Sequence, residues 1–382
     1  MKVYLDNAAT TPLAKEALDE MLPYLKDNFG NPSSIHSYGR KSRAAIEKAR
    51  KIVANAINAS TAEVFFTSCG TESNNMVIKQ SVKNLGVKRI ISSPIEHHCV
   101  LHSVEMEGRE GIKVDMVNIG THGEVDYDHL EELLKESDQK TLVTLMHSNN
   151  EIGTLLDLHR VSALCRQYGA CFHTDTVQTI GYFPMDVQKL SVDFISGSGH
   201  KFYGPKGIGF VYINSANQLK PYIDGGAQER NMRGGTENLY GIVGLGKALD
   251  MAIVNMAHNR EYITELKHYM KSRLDVELHD VSYNGYTDDR SHYKVLNVSL
   301  PHNNKTELIL FNLDIAGICA SGGSACSSGS EVGSHVLAGI SAPQDRKSVR
   351  FSFSDHNTKE EIDYVVEELK KMVNVKELAG VK

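Results

Sequence analysis

Short apolar runs separated by helical segments set the architecture of this chain between about residues 60 and 215. "EVFFT" (Glu63–Thr67), "RIISS" (Arg89–Ser93), "VDMVNI" (Val114–Ile119) and "TLVTLM" (Thr141–Met146) read as strands. "CFHTD" (Cys171–Asp175), "VDFISG" (Val192–Gly197) and "IGFVYI" (Ile208–Ile213) continue the series. Several are almost continuously apolar, as a strand covered on both faces of its sheet requires. Between them, "LEELLKES" and "LHRVSALCRQYG" carry apolar residues at helical spacing, and Gly169 closes the second as a C-cap. Such alternation predicts an α/β layer with a mainly parallel sheet. After Gly246 the texture changes. A long helical stretch from about Gly241 to Leu274 is followed by strand candidates "VLNVSL" and "SVRFSFS" and a final helix "KEEIDYVVEELKKMV". This part reads as a second, smaller α+β domain, and 382 residues are too many for one small core.

A net charge of −6 gives no electrostatic case for nucleic acid. No apolar run approaches the ~20 residues of a membrane span, and the opening "MKVYLDNAAT" lacks the apolar core of a signal peptide. The cysteines are Cys69, Cys99, Cys165, Cys171, Cys319 and Cys326. None falls in a C-x-x-C pair, so neither a zinc ribbon nor a thioredoxin-like motif is indicated, and no metal-ligating residues are assigned. Few cysteines and no signal peptide predict reduced thiols and a cytoplasmic location.

Open α/β sheets bind ligands at the C-terminal ends of their strands. In "FFTSCGTESNN", Ser68, Gly70 and Thr71 lead into a helix, whose free N–H groups and dipole suit a phosphate. The same residues also fit a plain Ser/Thr-x-x-Glu cap. In "SGSGHKFYGPKG", Lys201 follows a buried strand beside His200, where a neutral amine would be able to form a Schiff base; a surface loop is the commoner fate of lysine. "HTDTVQ" ends a strand with Asp175 and Gln178. A buried carboxylate needs a cationic or hydrogen-bonding partner, and a protonated pyridine nitrogen would serve. Alone, Asp175 reads as a helix cap. "SPIEHHCVL" sets His97 and His98 past a strand, either to stack on a flat ring and move protons or as structural histidines. "MHSNNEIGT" adds Asn149 and Asn150, which alone read as a turn. Together these residues suit a pyridoxal phosphate cradle. In "SGGSACSSGS" (Ser321–Ser330), Cys326 stands in a Gly/Ser run that cannot bury apolar surface. Read alone, that segment is a flexible linker with an incidental thiol.

The motifs "YLDNAATTP", "FGNPSSIHSYGR", "FTSCGTESNN", "IEHHCVL", "MHSNNEIGT", "FHTDTVQ", "GHKFYGPKGIG", "RGGTEN", "SGGSACSSGS" and "SVRFSFSDHNTKEEID" follow one another from Tyr4 to Asp363. As an ordered set they resemble the cysteine desulfurases, pyridoxal phosphate-dependent enzymes of fold type I in the class V aminotransferase superfamily. The resemblance implies a large cofactor-binding domain over residues 14–250 with a mainly parallel seven-stranded sheet. It also implies a small α+β domain, residues 1–13 and 251–382, carrying a mobile Cys loop at about 321–333. Lys201 would be the Schiff-base lysine and proton shuttle, Asp175 the partner of the pyridinium nitrogen, and Gln178 that of the ring hydroxyl. His97 would stack on the ring and act as acid/base. Gly70, Thr71, Ser198 and His200 would hold the phosphate, with Thr236 reaching in from the other subunit of a homodimer. Asn150 would orient cofactor and substrate, and Arg350 would clamp the substrate carboxylate, assisted by Asn31. L-Cysteine would become L-alanine, its sulfur passing to Cys326 as a persulfide. A sulfur-acceptor protein, either an iron–sulfur scaffold or a thiolation enzyme, would receive it. The Gly/Ser composition around Cys326 then has a use, since a thiol that ferries sulfur must leave the cofactor.

Some positions depart from the family's common pattern. Cys69 stands where Gly or Ala is frequent, and His98 and Cys99 replace a frequent Pro-Ala. Thr176, Gly234 and Gly333 replace a usual alanine, serine and proline.

Overall fold

The fold was read from a computed structural model, which describes residues 1–136, 138–322 and 333–374. The chain begins β1 (Val3–Tyr4), α1 (Lys15–Lys26), α2 (Ser37–Ala56), β2 (Val64–Thr67), α3 (Gly70–Leu85), β3 (Arg89–Ser92), α4 (His98–Arg109) and β4 (Lys113–Met116). It continues α5 (Tyr127–Lys135), β5 (Thr141–Thr144), α6 (Leu158–Gln167), β6 (Cys171–Asp175), α7 (Val187–Leu190), β7 (Phe194–Ser198), β8 (Gly209–Ile213), α8 (Gln228–Asn231) and α9 (Leu239–Glu277). It closes with β9 (Ser282–Asn284), β10 (Val295–Pro301), α10 (Ile309–Ile315), β11 (Ile318–Cys319), α11 (His335–Gly339), β12 (Arg346–Ser352) and α12 (Lys359–Val373).

The predicted apolar runs assemble into a seven-stranded sheet of order β2-β8-β7-β6-β5-β3-β4. Only β8 runs against its neighbours; the pairs from β7 to β4 are all parallel. Every residue of β2, β3, β5, β6, β7 and β8 is buried, the condition that the continuous apolar runs anticipate. The edge strand β4 is the exception: it exposes Lys113 and Met116. It starts one residue earlier and stops sooner than "VDMVNI" suggests. Its partner β3 ends at Ser92, whose carbonyl accepts the Val117 N–H (2.8 Å), and the next amide, Asn118, turns to His129 Nδ1 (3.0 Å).

The C-terminal part forms a three-stranded antiparallel sheet, β12-β10-β9, and α12 covers the same residues as the predicted final helix. The N-terminal strand β1 pairs with β11 in parallel, and Asp6 bridges to Ser352. The first residues therefore lie against the C-terminal sheet, far away in sequence. Among the described residues, α9 alone is long and apolar enough by composition to cross a membrane; half of its apolar window is buried inside the protein. It packs on α1 and α2, and Gly246 permits the approach: a Cβ there would come within 2.9 Å of Ala49 Cβ.

Candidate active site

A cavity of about 200 Å³ opens where β6 and β7 end and α3 and α4 begin. Gly70, Thr71, His97, Asn150, Asp175, Gln178, Ser198, His200, Lys201 and Arg350 all line it. Two of the expected residues lie elsewhere. Asn31 is in an exposed turn, its Oδ1 accepting the Ser33 N–H (2.9 Å). Thr236 lines a separate crevice of about 70 Å³ with Ser68, Glu229 and Arg233. Cys326 lies outside the described residues.

Parallel strands carry their last side chains to one edge of the sheet, which is why these residues meet. β6 ends on Asp175, whose Oδ1 accepts the Val177 N–H (2.9 Å) and whose Oδ2 accepts Asn74 Nδ2–H (2.6 Å). Burial pushes this carboxyl upward, against those hydrogen bonds and the nearby Lys201. β7 ends on Ser198, and a 3-10 turn over Gly199–Lys201 delivers Lys201, whose Nζ donates to the carbonyls of Ala8 (2.7 Å) and Ala9 (2.8 Å). Gln178 Nε2 donates to the same Ala8 carbonyl (3.0 Å). The N-terminal segment thus forms part of the cavity wall.

His97 caps α4: its Nδ1 accepts the Cys99 N–H (3.2 Å). Burial, followed by the Lys201 charge, lowers the imidazole to about 4. His200 is lowered to about 4 for the same two reasons, and its Nδ1 faces Thr10 Oγ1 at 3.1 Å. Both rings are therefore uncharged at neutral pH. Glu96, next to His97, is fully buried and raised to about 8 by that burial, so it holds a proton where ordinary glutamates do not. Arg350, on β12, is 1% exposed; Nη2 pairs with Asp6 Oδ1 (2.7 Å) and Nη1 donates to the Asn150 carbonyl (2.9 Å).

The donor set fits pyridoxal phosphate. Ser198 Oγ, Gln178 Oε1 and Arg350 Nε are buried polar atoms with no hydrogen-bond partner among the described residues, an arrangement that costs stability unless a ligand completes it. The sixteen-residue helix α3 points its N-terminus at the cavity through Gly70 and Thr71, and its N-cap residue Cys69 makes no side-chain cap bond. Those N–H groups suit a phosphate. Gly70 is needed there: a Cβ would sit 2.5 Å from Val177 Cγ2.

The sequence gives no direct sign of several other lining residues: Ala8, Ala9, Asn74, Met146, Ser148 and Val177. Asn74 was within reach of helical periodicity, since it follows Gly70 by one turn on the same face of α3. The backbone carbonyls of Ala8 and Ala9 carry no side-chain signature at all.

The family model for aminotransferase class-V matches residues 3–365. A protein described as cysteine desulfurase IscS from Dictyoglomus turgidum is 44% identical over 376 residues, covering 97% of this chain and 94% of that protein. Another of that description, from Methanosarcina thermophila, is 41% identical over 97% of this chain and 92% of its own length. Among solved structures, a NifS-like protein superposes with a TM-score of 0.90 at 33% identity, covering 98% of this chain and 100% of that one. A structure described as SspA in complex with cysteine gives a TM-score of 0.82 at 32% identity, over 94% of this chain and 100% of that one.

Proposed function

The chain belongs to the aminotransferase class-V family, among its pyridoxal phosphate-dependent cysteine desulfurases, and we propose that the cavity at the ends of β6 and β7 carries out the desulfuration of L-cysteine. The balanced reaction is L-cysteine plus the Cys326 thiol giving L-alanine plus a Cys326 persulfide. Pyridoxal phosphate, when bound, supplies the electron sink for bond breaking at the substrate Cα. The observation that carries this reading is the convergence of Lys201, Asp175, His97 and Arg350, from four separate stretches of sequence, on one cavity.

Each side chain is prepared for a distinct task. Asp175 would hold the ring nitrogen, and Gln178 and Ser198 have unpartnered acceptor or donor capacity for the ring hydroxyl and the phosphate. Lys201, steadied by two carbonyls, is the amine that moves the Cα proton. Arg350 is held by Asp6 and the Asn150 carbonyl, which fixes the guanidinium plane for a carboxylate. The test is chemical: protein loaded with pyridoxal phosphate and given L-cysteine should form alanine and protein persulfide in equal amounts. Alanine without persulfide would point to a lyase instead.

Two further expectations arise here. The first is a homodimer in which each cavity borrows Thr236 from the other subunit. It is supported by the position of Thr236 outside its own chain's cavity and by the unpartnered Ser198 Oγ within it. Light scattering should give a dimer, and Thr236→Ala should weaken cofactor binding about tenfold, the scale of one hydrogen bond to a charged group. A fully active monomer would remove the shared site. The second concerns Cys69, at the N-cap of α3 with Sγ 3.6 Å from Ser68 Oγ. A thiol held at a helix start cannot ferry sulfur, so Cys69→Ala should leave turnover within a few fold. Loss of activity together with persulfide trapped on Cys69 would contradict this.

The persulfide sulfur is destined for an acceptor protein, an iron–sulfur scaffold or a thiolation enzyme, which labelled sulfur and purified acceptors would distinguish. The reading places the enzyme in the reducing cytoplasm, where the attacking thiol stays free; fractionation of the source cells checks it.

A further inference from the structure

Asn74 and Cys99 join Asp175 to His97 in an unbroken line of hydrogen bonds. Asn74 Nδ2 donates to Asp175 Oδ2 (2.6 Å) and to Cys99 Sγ (3.2 Å), which uses both amide protons. The flipped amide would set its oxygen against a carboxylate, so electrostatics fix this orientation. The sulfur accepts from Asn74 and has the Thr71 hydroxyl beside it, whose hydrogen bond favours the same accepting role, so the thiol proton is directed to His97 Nδ1, 3.0 Å away. The Cys99 N–H donates to the same nitrogen at 3.2 Å. Burial, then Asp175, raise the Cys99 thiol to about 12, so it keeps its proton at neutral pH. His97 Nδ1 therefore meets two donors and has no room for a proton of its own, and the neutral ring carries its proton on Nε2.

We propose that Asn74 and Cys99 are positioning residues that hold His97 in its Nε2–H form, making it a hydrogen-bond donor rather than a base toward what occupies the cavity. The inference rests on the reading that His97 works in this site. The surroundings act in the same direction. Lys201, His98, His102 and His335 all disfavour a second proton on His97, while Asp175 and Glu96 disfavour loss of the Cys99 proton. The proton given up by an attacking thiol must then find another base.

Nitrogen-15 histidine labelling of the holoenzyme reads the tautomer directly, with His97 assigned by the signal lost in His97→Gln. At pH 7 the wild type should show Nδ1 bare and Nε2 protonated. In Cys99→Ala the Nδ1–H fraction should rise about tenfold, the effect of losing one hydrogen bond. Cys99→Ser should stay near the wild type, because its hydroxyl can donate along the same line. An Nδ1–H ring in the wild type would overturn the proposal without need of any variant. Equal shifts in the Ala and Ser variants would reduce Cys99 to packing and overturn it too. The cofactor absorption of His97→Gln separates the underlying reading: an unchanged spectrum would remove His97 from the site while leaving its tautomer measured.

Discussion

Replacing Cys326 with alanine is expected to cut alanine formation from L-cysteine by several orders of magnitude while the protein keeps its bound cofactor and colour. Loss of the attacking group in nucleophilic catalysis costs roughly 10⁶-fold in hydrolases, which sets the scale. Cofactor binding should survive, because Lys201, Asp175, Gln178 and Ser198, which line the cavity and suit the cofactor, are all retained. The ends of that loop are nevertheless tied to the cavity walls. Before it, Ser321 pairs with Arg350 through the backbone, and its Oγ donates to Asp6 Oδ1 (2.9 Å), the carboxylate that holds Arg350. After it, Ser334 Oγ donates to Glu151 Oε2 (2.5 Å), and His335 Nε2 meets the Glu96 carbonyl at 2.8 Å. The segment carrying Cys326 thus leaves beside the proposed carboxylate clamp and returns beside the strand end that bears His97. The measurement is alanine release by Cys326→Ala, with the cofactor spectrum followed as L-cysteine is added. A spectral response without alanine is the expected pair. Alanine at close to the wild-type rate would make the loop a linker and the protein a lyase.

How much of this was legible in the sequence depends on whether a feature is local. Strand runs such as "CFHTD" and "VDFISG" declare themselves because burial on both faces demands apolar residues, and their ends then lead to Asp175 and Lys201. The last turn of the chain's logic is less visible. Arg350 reads as a residue of a C-terminal strand, yet its orientation depends on Asp6 and Asn150, both remote from it in sequence. Lys201 depends on carbonyls at Ala8 and Ala9, which any residue type would supply. Asn74 and Cys99 could be noticed as residues but not as a connected pair, because α3 and α4 bring them together only in three dimensions. Edge strand β4 drifted in register for a related reason: its limits are set by its neighbour, and half-exposed residues leave the apolar pattern ambiguous.

Lys201→Ala should fail earlier than Cys326→Ala, and in a different way. Lys201 closes the turn after β7, and its Nζ bridges two carbonyls of the N-terminal segment. Removing the amine takes away the group that can bond covalently to the cofactor and the group that moves the Cα proton. Proton transfer by a positioned side chain alone is worth about 10²–10⁴-fold, so alanine formation should fall by at least that much. The fold should persist. The turn's backbone bonds, Gly199 N–H to the Ile208 carbonyl (3.0 Å) and Phe202 N–H to the Gly199 carbonyl (3.2 Å), do not involve the side chain. The orphaned cost falls on the carbonyls of Ala8 and Ala9; Gln178 still donates to the first, and water entering the vacated space can serve the second. The visible band of lysine-bound cofactor should vanish in this variant, whereas Cys326→Ala retains it. A mixture of the two purified variants should also show no persulfide on Lys201→Ala chains unless sulfur passes between cavities. If Lys201→Ala kept both its colour and its turnover, another amine would have to bear the chemistry. Lys294, fully buried with its Nζ 3.8 Å from the centre of the Tyr182 ring, is the one to replace next.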